Sequence, residues 1–385
     1  MFELQEKYLT ESSKSPASIA KSNKQWWELK LFLTDKDLTD EERRRFVMKH
    51  IYLKRSLALV LTAVSVVGIL GNSSIVKAED LKGELNQAKE LNIAYQPVIG
   101  FLPMYVLKDS NQLQDALKEA GYDDVEVTFT EFESGPPENE AFASGLQDIG
   151  VMGNVPAVSG IAAGQERSII GIAYNGEKTE AVLVPEDSEI SSVKDLKGKK
   201  IGLVVGSIAQ NFIDVLLKEN GLTTQDVELI NLSTGEQQQA LAAGQVDAVA
   251  TWEPTITKIE AAKTGKILAD GADIFLGENP IVARTEYTSQ NPEIVQIFLE
   301  QYKEAAEELD KNKEQYEEKY AETLGLEADL LDTALSHVSE PVTISEEDIT
   351  DLQGTADFLY DSGIITKKLN ISDYVDETFS KNLKG

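Results

Sequence analysis

The residues best suited to chemistry in this chain stand at the ends of short apolar runs. Gly206-Ser207 follows one such run (residues 201–205) and leads straight into a helical pattern, and Trp252-Glu253-Pro254 closes another. In open α/β sheets, ligands lie beyond the carboxyl ends of the strands, where helix N-termini point unpaired N–H groups outward. Each such N-terminus carries a positive partial charge of about half a unit. Similar punctuation recurs at Tyr95-Gln96, Ser134-Gly135-Pro136, Gly153-Asn154 and Tyr174-Asn175. Backbone donors, an indole and a few hydroxyl and amide groups suit the recognition of a small molecule with an anionic head.

The residue inventory points away from catalysis. The chain has no cysteine, which rules out disulfides, thiolate metal sites and a thiol nucleophile. Its two histidines are His50, in the leader described below, and His337, which sits in a helical pattern and reads as structural. A histidine-based triad or metal centre cannot be assembled from these. No GxxxxGK[ST] loop is present, so the chain does not itself hydrolyse ATP, and no cofactor is expected. Of 36 basic and 66 acidic residues, 13 and 9 lie in the first 78, leaving 23 against 57 beyond them, a net charge of −34. So acidic a body repels nucleic acid and anionic lipid. Beyond the leader the only arginines are Arg167 and Arg284, so an arginine clamp on an anion is not expected.

The elements that must position the site alternate strand and helix. Strand patterns fall at residues 91–95, 125–132, 148–152, 168–173 and 201–205, and a helical pattern runs over 104–120 to Gly121. Pro136 is tolerated in a first helical turn, and Asn154 reads as a helix cap. Residues 181–185 read as the crossover out of a first lobe (residues 79–185 and 272–385) into a second (186–271), and residues 280–284 as the return. The tail from Asn291 is helical and acidic, with 301–319 read as a solvated helix. The fold class is α/β, with two lobes joined by a double-crossover hinge and a ligand cleft between them.

The N-terminal segment reads as an export device. Lys49, Lys54 and Arg55 precede an apolar run of about 14 residues (57–70), short of the roughly 20 that span a membrane. Val76-Lys77-Ala78 supplies the small residues of a cleavage site, so residues 48–78 form a signal peptide or signal anchor. The polar residues 1–47 read either as translation assigned from too early a start, the preferred reading, or as a cytoplasmic extension. Ile69-Leu70-Gly71-Asn72 is similar to a lipoprotein processing box with Asn72 in place of the lipidated cysteine. Retention then falls to an uncleaved leader or a partner.

Five pieces of the chain, in order, resemble the solute-binding proteins of ABC importers for sulfonates, taurine and nitrate, a group that includes binders of thiamine pyrimidine precursors. They are Tyr95-Gln96, Ser134-Gly135-Pro136, residues 150–156, Gly206-Ser207 and residues 247–254. The resemblance implies a type II periplasmic-binding-protein fold, an exported monomer, and delivery of a small ligand to a membrane permease with its ATPase. It implies ligand contacts from Tyr95, Gln96, Gly135, Gly153, Asn154, Tyr174, Asn175, Ser207, Ile208, Ala209, Trp252 and Glu253. The chain departs from the sulfonate pattern at Ile208 and Ala209, where hydroxyl residues are common. It departs again at Asn154 in place of Asp, and at Thr255 in place of an aromatic. These changes trade donors for apolar wall, which favours a ligand with an alkyl or aryl part, or a flat heterocycle, over nitrate. A tethered ligand sensor and a pyrimidine-precursor binder are the alternative readings.

Overall fold

The computed structural model describes residues 88–383. The extension, the signal segment and the processing box all lie outside the described residues. Among the described residues no helix is long and apolar enough to cross a membrane.

The first lobe is built on strands β1 (Glu90–Tyr95), β2 (Glu126–Glu131), β3 (Ile149–Val151), β4 (Arg167–Tyr174) and β10 (Asn279–Arg284). Their order is β2-β1-β3-β10-β4, with β1 parallel to β2 and β3, and β10 antiparallel to both its neighbours. The second lobe is built on β5 (Glu180–Pro185), β6 (Lys200–Leu203), β7 (Glu228–Asn231), β8 (Ala248–Trp252) and β9 (Gly265–Asp270). Its order is β7-β6-β8-β5-β9, with β5 antiparallel to β8 and β9. The two sheets share one topology: three parallel strands, then an antiparallel strand arriving from the other lobe, then an edge strand.

This arrangement corrects the lobe boundary read from the sequence. Residues 181–185 are not a crossover but most of β5, paired from Glu180↔Trp252 through Leu183↔Val249 on one side and with β9 on the other. The run is apolar because both its edges and both its faces are covered. The chain changes lobe earlier, between Tyr174 and Glu180, and returns between Asp270 and Asn279. The two crossings touch, the Gly176 N–H donating to the Leu276 carbonyl at 2.9 Å. Gly176 is required there, since a Cβ would lie 2.0 Å from the His337 carbonyl oxygen.

In the first lobe, α1 (Leu102–Asp109) and α2 (Gln112–Glu119) replace the single helix expected over 104–120. Ser110 turns extended (φ −101°, ψ 167°) and Asn111 starts the second helix, both residues preferring helix ends to interiors. Helix α3 (Gly135–Ala143) precedes β3, and α4 (Asn154–Ala162) follows it. In the second lobe α5 (Ile208–Glu219), α6 (Thr234–Ala242) and α7 (Thr255–Ala261) follow β6, β7 and β8 in turn.

The tail begins with the short α8 (Thr285–Gln290) and continues as α9 (Pro292–Lys311), α10 (Lys313–Leu324), α11 (Ala328–Leu335), α12 (Glu346–Asp361) and α13 (Glu377–Lys381). Residues 301–319 are not one solvated helix. The chain breaks at Asn312, and Tyr302, Ala305, Leu309 and Tyr316 are buried. Helix α9 packs on α1, and α12 on α4. The tail also reaches the second lobe, where Asn211 on α5 donates to the Thr355 hydroxyl on α12 at 3.0 Å.

Asp148 pins three strands of the first lobe. Its Oδ2 accepts from the Asn92 backbone (2.9 Å) and side chain (3.0 Å) on β1, and its Oδ1 takes the Arg284 guanidinium at the end of β10. Removing a largely buried carboxylate leaves its donors unpaired, so Asp148→Ala is expected to cost about 2–3 kcal/mol. Thermal unfolding should show Tm falling by roughly 5–10 °C. A shift below one degree would mean that the three strands hold their register without it.

Candidate ligand-binding cleft

The carboxyl ends of β1, β3, β6 and β8 face one crevice between the lobes. Its walls are Gln96, Val98, Phe101, Gly135, Gly153, Pro156, Tyr174 and Asn279 from the first lobe, and Ser207, Ile208 and Trp252 from the second. The free space is about 10 Å³, at the lower limit for a single water. The lobes are therefore shut on one another. A Cβ on Gly153 would stand 3.2 Å from the Ile208 Cβ, and one on Gly206 3.6 Å from Pro136. Any organic ligand must enter with the lobes parted. A larger cavity of about 140 Å³ lies among α9, α10 and α11, lined by Leu309, Lys313, Tyr316 and Glu340, away from the strand ends.

The positive face of the crevice is backbone. No charged side chain lines it. Arg167 is buried beneath α4 and donates to the Pro156 and Ala157 carbonyls, and Arg284 is held by Asp148. The donors come from three helix N-termini, each thinned by its sequence. Helix α3 begins Gly-Pro-Pro, so only Gly135 has a free N–H among its first three residues. At α4, Val155 gives its N–H to Asn154 Oδ1 at 2.7 Å and Pro156 has none, which leaves the N–H of Asn154. At α5, Ile208 and Ala209 both offer N–H groups that no intrahelical carbonyl can reach. Those of Gly206 and Ser207 are used within the turn, by Gln210 Oε1 and the Val204 carbonyl.

The structure brings seven of the twelve residues picked from the sequence to the crevice wall: Gln96, Gly135, Gly153, Tyr174, Ser207, Ile208 and Trp252. The Tyr174 ring packs edge-on against Phe101, centroids 5.1 Å apart, over Gly100. Burial, with Glu180 and Glu253 nearby, pushes its hydroxyl well above the usual tyrosine range, so it remains a donor. Ser207 donates its hydroxyl to the Val204 carbonyl at 2.7 Å, so its contribution to the wall is position rather than a free donor.

Five residues lie elsewhere. Tyr95 precedes Gln96 and so faces the other side of β1. It packs edge-on against Tyr105 at 5.1 Å, and its hydroxyl accepts from Lys108 at 2.8 Å. Asn154 is fully buried in the first turn of α4, with its Nδ2 unpartnered, and Gly153 rather than Asn154 holds the cap position. Asn175 pairs with Ser339 and faces Asp348 at 3.4 Å, tying the first crossing to the tail. The Ala209 methyl is buried in the core, and only its N–H remains relevant. Glu253 accepts from the Thr257 N–H (3.1 Å) and hydroxyl (3.0 Å) on α7, with His337 Nδ1 3.4 Å away. A carboxylate held at a helix N-terminus is stabilised there and is not free to face a ligand.

Four wall residues carry no strand-end signal of the kind that marks the others. Pro156 lies inside the 150–156 motif, while Val98 and Phe101 come from the loop just past Gln96, the strand end that is their nearest signal. Asn279 opens β10, and only the second crossing, which sequence periodicity does not fix, brings it back to the cleft.

Comparison with known proteins agrees with this geometry. Residues 111–315 match the family model described as NMT1/THI5 like. A Bacillus subtilis (strain 168) protein named for aliphatic sulfonates binding is 32% identical over 309 residues, spanning 79% of this chain and 91% of that one. The taurine-binding periplasmic protein of Escherichia coli (strain K12) is 29% identical over 218 residues, 55% of this chain and 64% of that one. Among solved structures, the alkanesulfonate-binding protein SsuA from Xanthomonas axonopodis pv. citri, bound to MOPS, is similar with a TM-score of 0.69 at 27% identity. That match covers 75% of this chain and 99% of that one. The two lobes with their paired crossings are thus a periplasmic-binding-protein fold, and the chain belongs to the NMT1/THI5-like family.

Proposed function

We propose that this protein is the exported solute-binding component of an ABC importer. It captures an aliphatic sulfonate between its lobes and hands it to a membrane permease whose ATPase powers uptake. The observation that carries this reading is that α3, α4 and α5 begin at the crevice with unpaired backbone N–H groups at Gly135, Asn154, Ile208 and Ala209, beside a wall that holds Val98, Phe101, Ile208 and Trp252 and no charged side chain. Oriented N–H groups suit the three oxygens of a sulfonate without a counter-charge whose desolvation would have to be overcome. Val98, Phe101, Ile208 and Trp252 suit an alkyl chain at roughly 25 cal/mol per Å² buried. The sulfonate and taurine relatives make the same ligand class the first to try. The relatives at 30% identity or more are named as binding proteins, and this supports capture rather than conversion.

A thermal-shift screen of the purified protein tests this directly. An alkanesulfonate at 100 times its Kd should add about 2.7 kcal/mol to folding and raise Tm by several degrees. Nitrate and pyrimidines should leave Tm unmoved, and a shift with pyrimidines alone would replace this reading. Two variants locate the site by calorimetry. Trp252→Ala should weaken sulfonate binding by roughly five- to thirty-fold, about 1–2 kcal/mol. Gly153→Leu should weaken it by holding the lobes apart. Unchanged Kd in both would place the ligand elsewhere.

A further inference from the structure

Gln96 is the wall residue whose polarity toward a ligand is not fixed by its own chemistry. Its Nε2 donates to Glu138 Oε2 at 2.7 Å and lies 3.4 Å from the Val151 carbonyl, and no donor reaches its Oε1. In this orientation the amide atom left for the crevice is an acceptor, which repels a sulfonate. An ionised carboxylate only accepts hydrogen bonds, whereas a protonated one also donates. Protonated at Oε2, Glu138 would bond the Gln96 oxygen instead, and the amide would turn its NH₂ toward the crevice.

We propose that Glu138 is a positioning residue that sets the Gln96 amide by its protonation, so that an anionic ligand binds the protonated form and is released as Glu138 ionises. Glu138 does not touch the crevice itself. The inference rests on the sulfonate reading given above.

The surroundings suit a group that changes charge in place. Glu138 is fully buried in the first turn of α3, and its Oε1 has no partner. Gly150 on β3 lies flat against that oxygen, where a Cβ would come within 2.5 Å. Phe142 on its own helix closes the same side, 5.6 Å from the Arg167 guanidinium. Arg167, on β4, is the charged group that bears on Glu138, but its Nη2 donates to the Pro156 and Ala157 carbonyls and its Nη1 to Met152 Sδ. Burial raises the Glu138 carboxyl, Gln96 and Arg167 lower it, and the balance stands at about 8. A carboxyl so raised is mostly protonated at neutral pH and ionises as the medium turns alkaline.

The sign follows from linkage. A ligand that prefers the protonated form raises this pKa further, so affinity is level below about pH 8 and falls up to tenfold per pH unit above it. The test is calorimetry with butanesulfonate, which has no group titrating in this range, from pH 6.5 to 9.5 in two buffers of different ionisation enthalpy. The wild-type protein should weaken at least fivefold between pH 7.5 and 9 and take up close to one proton per ligand near pH 8.5–9. Glu138→Gln, which cannot titrate, should show a flat profile and no proton uptake. A level wild-type profile without proton uptake overturns the proposal, as does a Glu138→Gln variant that keeps the wild-type slope. Should that variant not fold, wild-type proton uptake alone decides. Absence of butanesulfonate binding at every pH overturns the sulfonate reading, and this proposal with it, whereas binding without a slope overturns only the role of Glu138.

Discussion

Each lobe of this protein completes its sheet with a strand delivered by the other. β5 leaves the first lobe and inserts between β8 and β9, and β10 leaves the second and inserts between β3 and β4. Both strands are buried and antiparallel to their neighbours, so neither crossing can slip without breaking a ladder on two sides. Each crossing is short, and the two are hydrogen-bonded where Gly176 meets Leu276. The tail adds a further tie between the lobes, from Thr355 on α12 to Asn211 on α5. The cleft is where the parallel strands end and where α3, α4 and α5 begin.

The proposed anion site is compatible with so acidic a protein. Net charge acts across the surface, where salt screens it within about a Debye length of 8–10 Å. The crevice is governed by the few dipoles that point into it when the lobes shut. Side-chain cations are committed elsewhere, Arg167 to the α4 carbonyls and Arg284 to the β1–β3–β10 pin. Prolines at the starts of α3 and α4 remove N–H groups that would otherwise compete for the ligand. What remains is a sparse set of donors beside apolar wall, and this favours an amphipathic anion over a small, fully hydrated one.

Much of the fold was legible in the sequence, because apolar runs of fixed period end at turn residues. The strand ends at Gln96, Val151 and Trp252 and the helix start after Ser207 could be read in this way. Three kinds of information could not. Periodicity does not tell a crossover from an inserted central strand, and residues 181–185 carry the same apolar pattern in either role. Local pattern does not say which of two adjacent strand-end residues faces the cleft, Tyr95 or Gln96, Trp252 or Glu253. What settles such a choice is a side-chain partner on another element: Lys108 on α1 for Tyr95, and Thr257 on α7 with the distant His337 for Glu253. The coupling of Gln96 to Glu138 has no sequence signature, since it depends on a helix and a strand meeting at Gly150.

The proposed site puts the ligand between the lobes, against Trp252. Trp252 is the only tryptophan beyond Trp27, so with Trp26 and Trp27 replaced by phenylalanine its emission reports the cleft alone. Titration with an alkanesulfonate should shift that emission saturably, with the midpoint equal to the calorimetric Kd. Calorimetric binding with no change in Trp252 emission would move the site away from the cleft.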